Sequence, residues 1–177
     1  ATRGSRQEFP EVAVIVAESN KVTIYDGDDA SLPMWMVFEG GGNNWLYYVG
    51  STTDTTSIYA LNGKIVSGNE LYDVRIWDFL VDGSVYWRER GVANYYGNVS
   101  NRNDGLGQEA LLSGSSGIVN RAIKDVAMTV LSGAPTDPAT GLPVPTIAVA
   151  TDGGVSVIKD DGTVADSAST LTIGRVV

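Results

Sequence analysis

The sequence contains no histidine and no cysteine. Without cysteine there is no disulfide, no thiolate nucleophile and no Cys-ligated zinc. Without histidine there is no Ser-His-Asp triad, and the commonest metal ligand is missing. No apolar run approaches the roughly 20 residues of a membrane-spanning helix, so no membrane partner is expected. The glycine run Gly40-Gly41-Gly42 lacks the Lys-Ser/Thr ending of a phosphate-binding loop and reads as a flexible bend. Neither an initiator methionine nor a signal peptide opens the chain. Both ends read as cut or processed from a longer polypeptide, the last of them, Leu171 to Val177, as a strand.

What is present points to an all-β protein. Twenty-one glycines against three methionines suit a turn-rich β fold better than a helical bundle. The apolar runs favour Val, Ile, Thr, Tyr and Trp, which pack well on a pleated surface. At 43% hydrophobic and 19% charged residues the chain can bury a core. Its formal net charge of −9 would repel a phosphate backbone, so nucleic acid is not expected as a partner.

Two segments align without a gap, Val14 to Tyr25 and Ile147 to Ile158. Each reads as an apolar strand, a tight polar turn (Ser19-Asn20 or Asp152-Gly153) and an alternating strand. Each then meets an aspartate-rich turn, Asp26-Gly27-Asp28-Asp29 or Asp160-Asp161-Gly162. A looser third copy lies between them. Ser57 to Leu61 is a strand, Asn62-Gly63 a strong hairpin signal, and Lys64 to Ser67 the return strand. A Gly68-Asn69 turn, a long strand from Leu71 to Leu80, an Asp82-Gly83 turn and a strand from Ser84 to Arg88 complete it. Such antiparallel four-stranded meander repeats have the shape of β-propeller blades. If Val14, Ile58 and Ile147 open the first strands, the spacings are about one and about two propeller repeats of 40–50 residues.

The expected organisation is a single β-repeat domain or propeller fragment, with about three blade-like units at 11–50, 51–93 and 118–170. A loop insertion at 94–117, rich in Asn, Gly and Ser, carries a short helical turn at Gln108 to Leu112. Ser132 to Pro145, with four of the six prolines, reads as a stiff crossing between strands. Three blades do not close a propeller, and open stacks leave sticky sheet edges. Either a longer parent chain or other subunits complete the stack, or the strands form a sandwich instead.

Candidate sites are few. The aspartate turns offer oxygen ligands for calcium, but Ala30 and Val37 stand where an EF-hand needs ligands, so a solvated turn is the expectation and no metal or cofactor is assigned. Trp35, Trp77 and Trp87 are expected in the core. Tyr95 and Tyr96, at the start of the insertion, are the candidate ligand-binding residues, since exposed aromatic rings stack on sugars. Glu70, Asp73 and Asp78 offer carboxylates from which a glycosidase pair could come, but nothing singles out two of them, so no catalytic residue is assigned.

The stretches Gly141 to Gly162, Ser57 to Val66 and Arg3 to Pro10 resemble blade sequences in uncharacterised, propeller-like proteins of marine bacteriophages and their metagenomic relatives. The resemblance covers most of the chain outside the insertion. It implies a structural, tail-associated protein of a phage particle, made in the host cytoplasm and resident in the virion. Its expected partners are copies of itself or neighbouring virion subunits, with a host glycan as the alternative. It supplies no catalytic residue.

Overall fold

The computed structural model describes residues 9–18, 21–39, 55–71, 73–95, 109–111, 117–138 and 140–168. All regular secondary structure among them is β. The first sheet holds β1 (Ala13–Glu18), β2 (Lys21–Asp26) and β3 (Met34–Glu39). The second holds β4 (Thr55–Leu61), β5 (Lys64–Asn69), β6 (Val74–Asp78), β7 (Gly83–Arg88), β8 (Gly91–Tyr95) and the three-residue β9 (Glu109–Leu111). The third holds β10 (Ile123–Thr129), β11 (Thr146–Thr151), β12 (Gly154–Ile158) and β13 (Val164–Ala168). Every ladder joins chain neighbours and runs antiparallel. Among the described residues, only the third sheet has the expected four strands.

Turn chemistry explains the hairpins. Leu61 faces Lys64 across a two-residue loop. Asn62 and Gly63 both take positive φ, 48° and 72°, the signature of a type I′ turn matched to strand twist. Thr151 faces Gly154 across Asp152-Gly153, and Glu18 faces Lys21, as the turn pairs predict. The Thr151 hydroxyl closes its turn by accepting from Gly153 N and donating to Gly154 O.

Several expectations are corrected. Glu109–Leu111, the described part of the helical turn expected at Gln108 to Leu112, pairs with β8 as a strand instead. Asn94 and Tyr95 belong to β8 rather than to a loop. The long strand from Leu71 to Leu80 shortens to Val74–Asp78, because the Asp78 carboxylate accepts from Leu80 N and starts a turn there. Gly68 and Asn69 continue β5 instead of turning. Ile147 opens the second strand of its sheet, not the first, since β10 precedes it. Ser132 to Pro145 joins the adjacent antiparallel strands β10 and β11 and folds back on itself. Asp137 N donates to Leu142 O, and Val144 N to Pro135 O. The prolines thus lie in a connection between two strands, as expected, and it takes the form of an extended hairpin loop.

The sheets pack face to face, and strand alternation shows how. Ile65 and Trp77, cross-strand partners on β5 and β6, pack with Val22, Ile24, Trp35, Met36 and Phe38 of the first sheet. Their neighbours Val66 and Ile76, also partners, point the opposite way and pack with Ile123, Val126, Met128, Ile147 and Val149 of the third. The second sheet is therefore the middle layer. On the first side the contact is aromatic. Phe38 stacks on Trp77 with ring centroids 4.4 Å apart, and Phe9 meets Trp35 and Phe79 edge-on at 5.0 Å. Each such pair adds about 0.5–1.5 kcal/mol beyond area burial. Trp35, Trp77 and Trp87 are all buried.

On the third-sheet side Gly68 lies tight against the third sheet. A Cβ built there would lie 2.5 Å from Ile123 Cγ2. Nearby, Ser57 Oγ donates to the Asp125 carboxylate and accepts from Val126 N. Asn62 Nδ2 donates to Pro143 O at 2.8 Å, tying the first hairpin of the second sheet to the proline loop of the third. Replacing Gly68 with alanine is expected to destabilise the fold by about 1–3 kcal/mol through overpacking. A urea titration of Gly68→Ala checks this; an unchanged midpoint would show that the two layers can part at no cost.

Candidate functional site between the second and third sheets

The same two sheets that touch at Gly68 separate toward the other end of β5. Lys64 lies four positions, about 14 Å of strand, from Gly68. A groove of about 580 Å³ opens there. Its floor is apolar, with Ile76, Val85 and Trp87 from the second sheet and Ile147 and Ile158 from the third. Its polar groups come from strand ends and turns: Lys64, Asp78, Asp82, Asn94 and Asp160. Lys64 and Asp78 form an ion pair with both side chains mostly buried. An apolar floor with a few converging polar groups is the usual composition of a ligand site. A second hollow of about 590 Å³ lies where Ser57 and Tyr59 of β4 meet β10 and the alanine-bearing side of β11.

Tyr95 is the last residue of β8, in register with Ser84 on β7 and Glu109 on β9. It directly follows the groove residue Asn94. Tyr96 lies outside the described residues, as do Trp45, Tyr47, Tyr48 and Gly40 to Gly42. The groove residues were not anticipated as a set. Asp82 and Asp160 are legible as turn residues, but their meeting depends on two sheets far apart in the chain.

The candidate carboxylates Glu70, Asp73 and Asp78 have other attachments. Asp73, 1% exposed, sits 3.2 Å from Arg75 Nη2 and 3.8 Å from Arg88 Nε. Both guanidinium groups lie over the Tyr86 ring, at 4.8 and 4.5 Å from its centroid. Tyr86 is fully buried, so this is an interior charge cluster on the first-sheet side of the middle layer. Asp78 holds Lys64, and Glu70 lies 3.7 Å from Lys124 Nζ.

The aspartate turns are built from backbone donors. Asp28 accepts from Glu11 N at 2.9 Å and Val12 N at 2.8 Å, clamping the turn after β2 to the approach of β1. Asp26 accepts from Asp28 N at 3.1 Å. Asp29 accepts from both the amide and the hydroxyl of Ser31, and these bonds hold its carboxyl below the ordinary value. Asp161 does the same with Thr163, the hydroxyl contributing most and the amide next, and its carboxyl is likewise lowered. Among the described residues no group of three or more acidic side chains could hold a metal ion.

No protein-family model matches the chain, and no curated protein matches it.

Two outcomes follow from these contacts. Asp73→Ala leaves two guanidinium groups without their buried carboxylate and is expected to cost about 3–5 kcal/mol in a denaturant titration. For Asp161 and Asp29 the folded-state pKa lies below the unfolded one. Their contribution is thus present above the ordinary carboxyl pKa and lost as pH falls through the lowered one. Asp161→Ala removes one of these groups. Thermal midpoints measured on the acid side of that range should fall less steeply with pH in the variant than in the parent protein.

Proposed function

We propose that this chain is a non-enzymatic structural subunit of a phage particle, tail-associated, which assembles through its sheet faces with copies of itself or with neighbouring subunits. In this reading the three face-packed meanders are blades of a β-propeller of which the chain carries a part. The supporting observation is the outer side of the first sheet, where Val14 and Val16 each remain 40% exposed on an edge strand. Exposed β-branched residues on an open edge strand are what a monomer avoids and an assembling subunit uses. The phage setting rests on the resemblance of Gly141 to Gly162 and Ser57 to Val66 to phage blade sequences. The non-catalytic reading draws support from the ion pairs that occupy Asp73, Asp78 and Glu70.

A second reading, a glycan-binding module, is favoured by one feature. Asn94, neighbour to Tyr95, lines a groove whose rim also carries Asp78, Asp82 and Asp160. Amide and carboxylate groups above an apolar floor suit a sugar's hydroxyl groups and its apolar ring face.

Light scattering across a wide concentration range, with salt varied, tests the assembly reading. A discrete oligomer is expected; a monomer at every concentration overturns it. Polysaccharide binding by the parent protein that is lost in Asn94→Ala, and in the Tyr95→Ala, Tyr96→Ala double variant, with an unchanged far-UV spectrum, would select the second reading.

A further inference from the structure

Among the described residues, the glycines that stand within strands are Gly68, Gly83, Gly91 and Gly154. Glycine weakens a strand, so each such position asks for a reason. Gly68 lies against Ile123, while Gly91 and Gly154 take positive φ, 126° and 132°. Gly83 shares neither reason. Its φ is not positive, and the positive φ of the turn before it falls on Asp82, at 52°. Beyond the adjoining residues, a Cβ built on Gly83 would meet nothing closer than Val81 at 3.8 Å. The protein itself has room for a side chain there.

The room belongs to the groove. Gly83 faces Asp78 across its ladder, and Asp78 faces Lys64, so the three form one cross-strand row on the groove side of the second sheet. The next row on that side carries Ile76, Val85 and Asn94. Gly83 is thus a bare patch, with Asp78 about 5 Å to one side and Asn94 about 8 Å away on the diagonal. The ion pair beside it has bonding capacity left. Among the described residues the Lys64 ammonium, which has three donors, gives one to Asp78. Of the two Asp78 oxygens, one accepts from Lys64 Nζ and the other from Leu80 N, and each keeps a second lone pair. This mostly buried pair therefore offers a donor and an acceptor side by side.

We infer that Gly83 seats one ring of an uncharged sugar, with the ring's apolar face on the glycine backbone and Val85, two adjacent hydroxyls at the Lys64–Asp78 pair, and a third at Asn94. The inference rests on the glycan reading of the groove and says which class of sugar binds and where. Adjacent hydroxyls match the pair because one accepts from Lys64 while its neighbour donates to Asp78. A glycine without a side-chain neighbour is what close approach of a ligand to the backbone requires. Charge selects a neutral ring. The groups lining the groove are of both signs, Lys64 and Lys159 against Asp78, Asp82 and Asp160, so a ligand ion of either sign meets its own kind. A chain of net charge −9 further disfavours a uronate or sulfated sugar. At about 580 Å³ the groove has the size of a small-molecule site and takes a short oligosaccharide.

The test titrates the full chain with maltotriose, mannotriose, galactotriose and xylotriose, and with trigalacturonate as the anionic comparison. Calorimetry reads affinity, and backbone amide signals in NMR spectra read position. At least one neutral probe should bind, shift the Gly83, Val85 and Asn94 amides, and bind equally at low and high salt, since an uncharged ligand is not screened. Trigalacturonate should not bind. Gly83→Val should keep its thermal midpoint or raise it by about 2–4 °C, because the strand loses a glycine. The same variant should weaken the neutral probe about tenfold or more, because its side chain fills the seat. If Gly83→Val does not fold, Gly83→Ala takes its place, adding only the atom for which there is room. Neutral-probe binding that Gly83→Val leaves unchanged, or a preference for trigalacturonate, overturns this inference and leaves the glycan reading standing. Binding of no probe overturns the inference as well; the glycan reading falls with it only if whole polysaccharides also fail to bind.

Discussion

Everything in this molecule depends on the double burial of the second sheet. A strand covered on both sides must satisfy two packing partners with one alternating sequence. β5 and β6 do so by assigning Ile65 and Trp77 to one neighbour and Val66, Val74 and Ile76 to the other. A one-residue slip in that ladder would exchange the two sets, pushing a tryptophan toward a surface shaped for valine and isoleucine. The type I′ turn at Asn62-Gly63 fixes the neighbouring register, that between β4 and β5.

The middle layer also holds the molecule's buried charge. Asp73, Arg75 and Arg88 lie beside a fully buried tyrosine on the side facing the first sheet. An interior cluster of this kind adds little net stability compared with an apolar replacement, yet losing one member is costly. Its effect is selective, in that only an arrangement bringing β6 and β7 into this register pairs the carboxylate with both guanidinium groups.

Legibility in the sequence followed the range of the interactions. The hairpins at Asn62-Gly63 and Asp152-Gly153 were readable because turn chemistry and strand alternation are local. The three tryptophans were readable as core because large aromatic residues on alternating strands have few other places to go. Gly68 was misread as a turn because its reason for being glycine, the Ile123 side chain against it, lies far along the chain. Glu109–Leu111 was misread as helical because a three-residue strand carries too little periodicity to declare itself. β10 was not placed at the head of its sheet, since the unbroken likeness between Val14 to Tyr25 and Ile147 to Ile158 pairs the first two strands of one sheet with the middle two of another. The groove was beyond reach for the same reason as Gly68. It is a gap between surfaces, and the local turn signatures of Asp82 and Asp160 do not tell that the two meet.

Among the described residues each strand pairs only with its neighbour in the chain, and no ladder is shared between sheets. The layers are joined by side-chain packing and a few hydrogen bonds, such as those from Ser57 Oγ to Asp125 and from Asn62 to Pro143 O. A chain built this way can acquire or shed a whole layer without changing the register of any strand that remains. Lengthening by duplication then needs only a new face that fits an old one, which makes the number of layers a far more changeable character than the structure of any single layer.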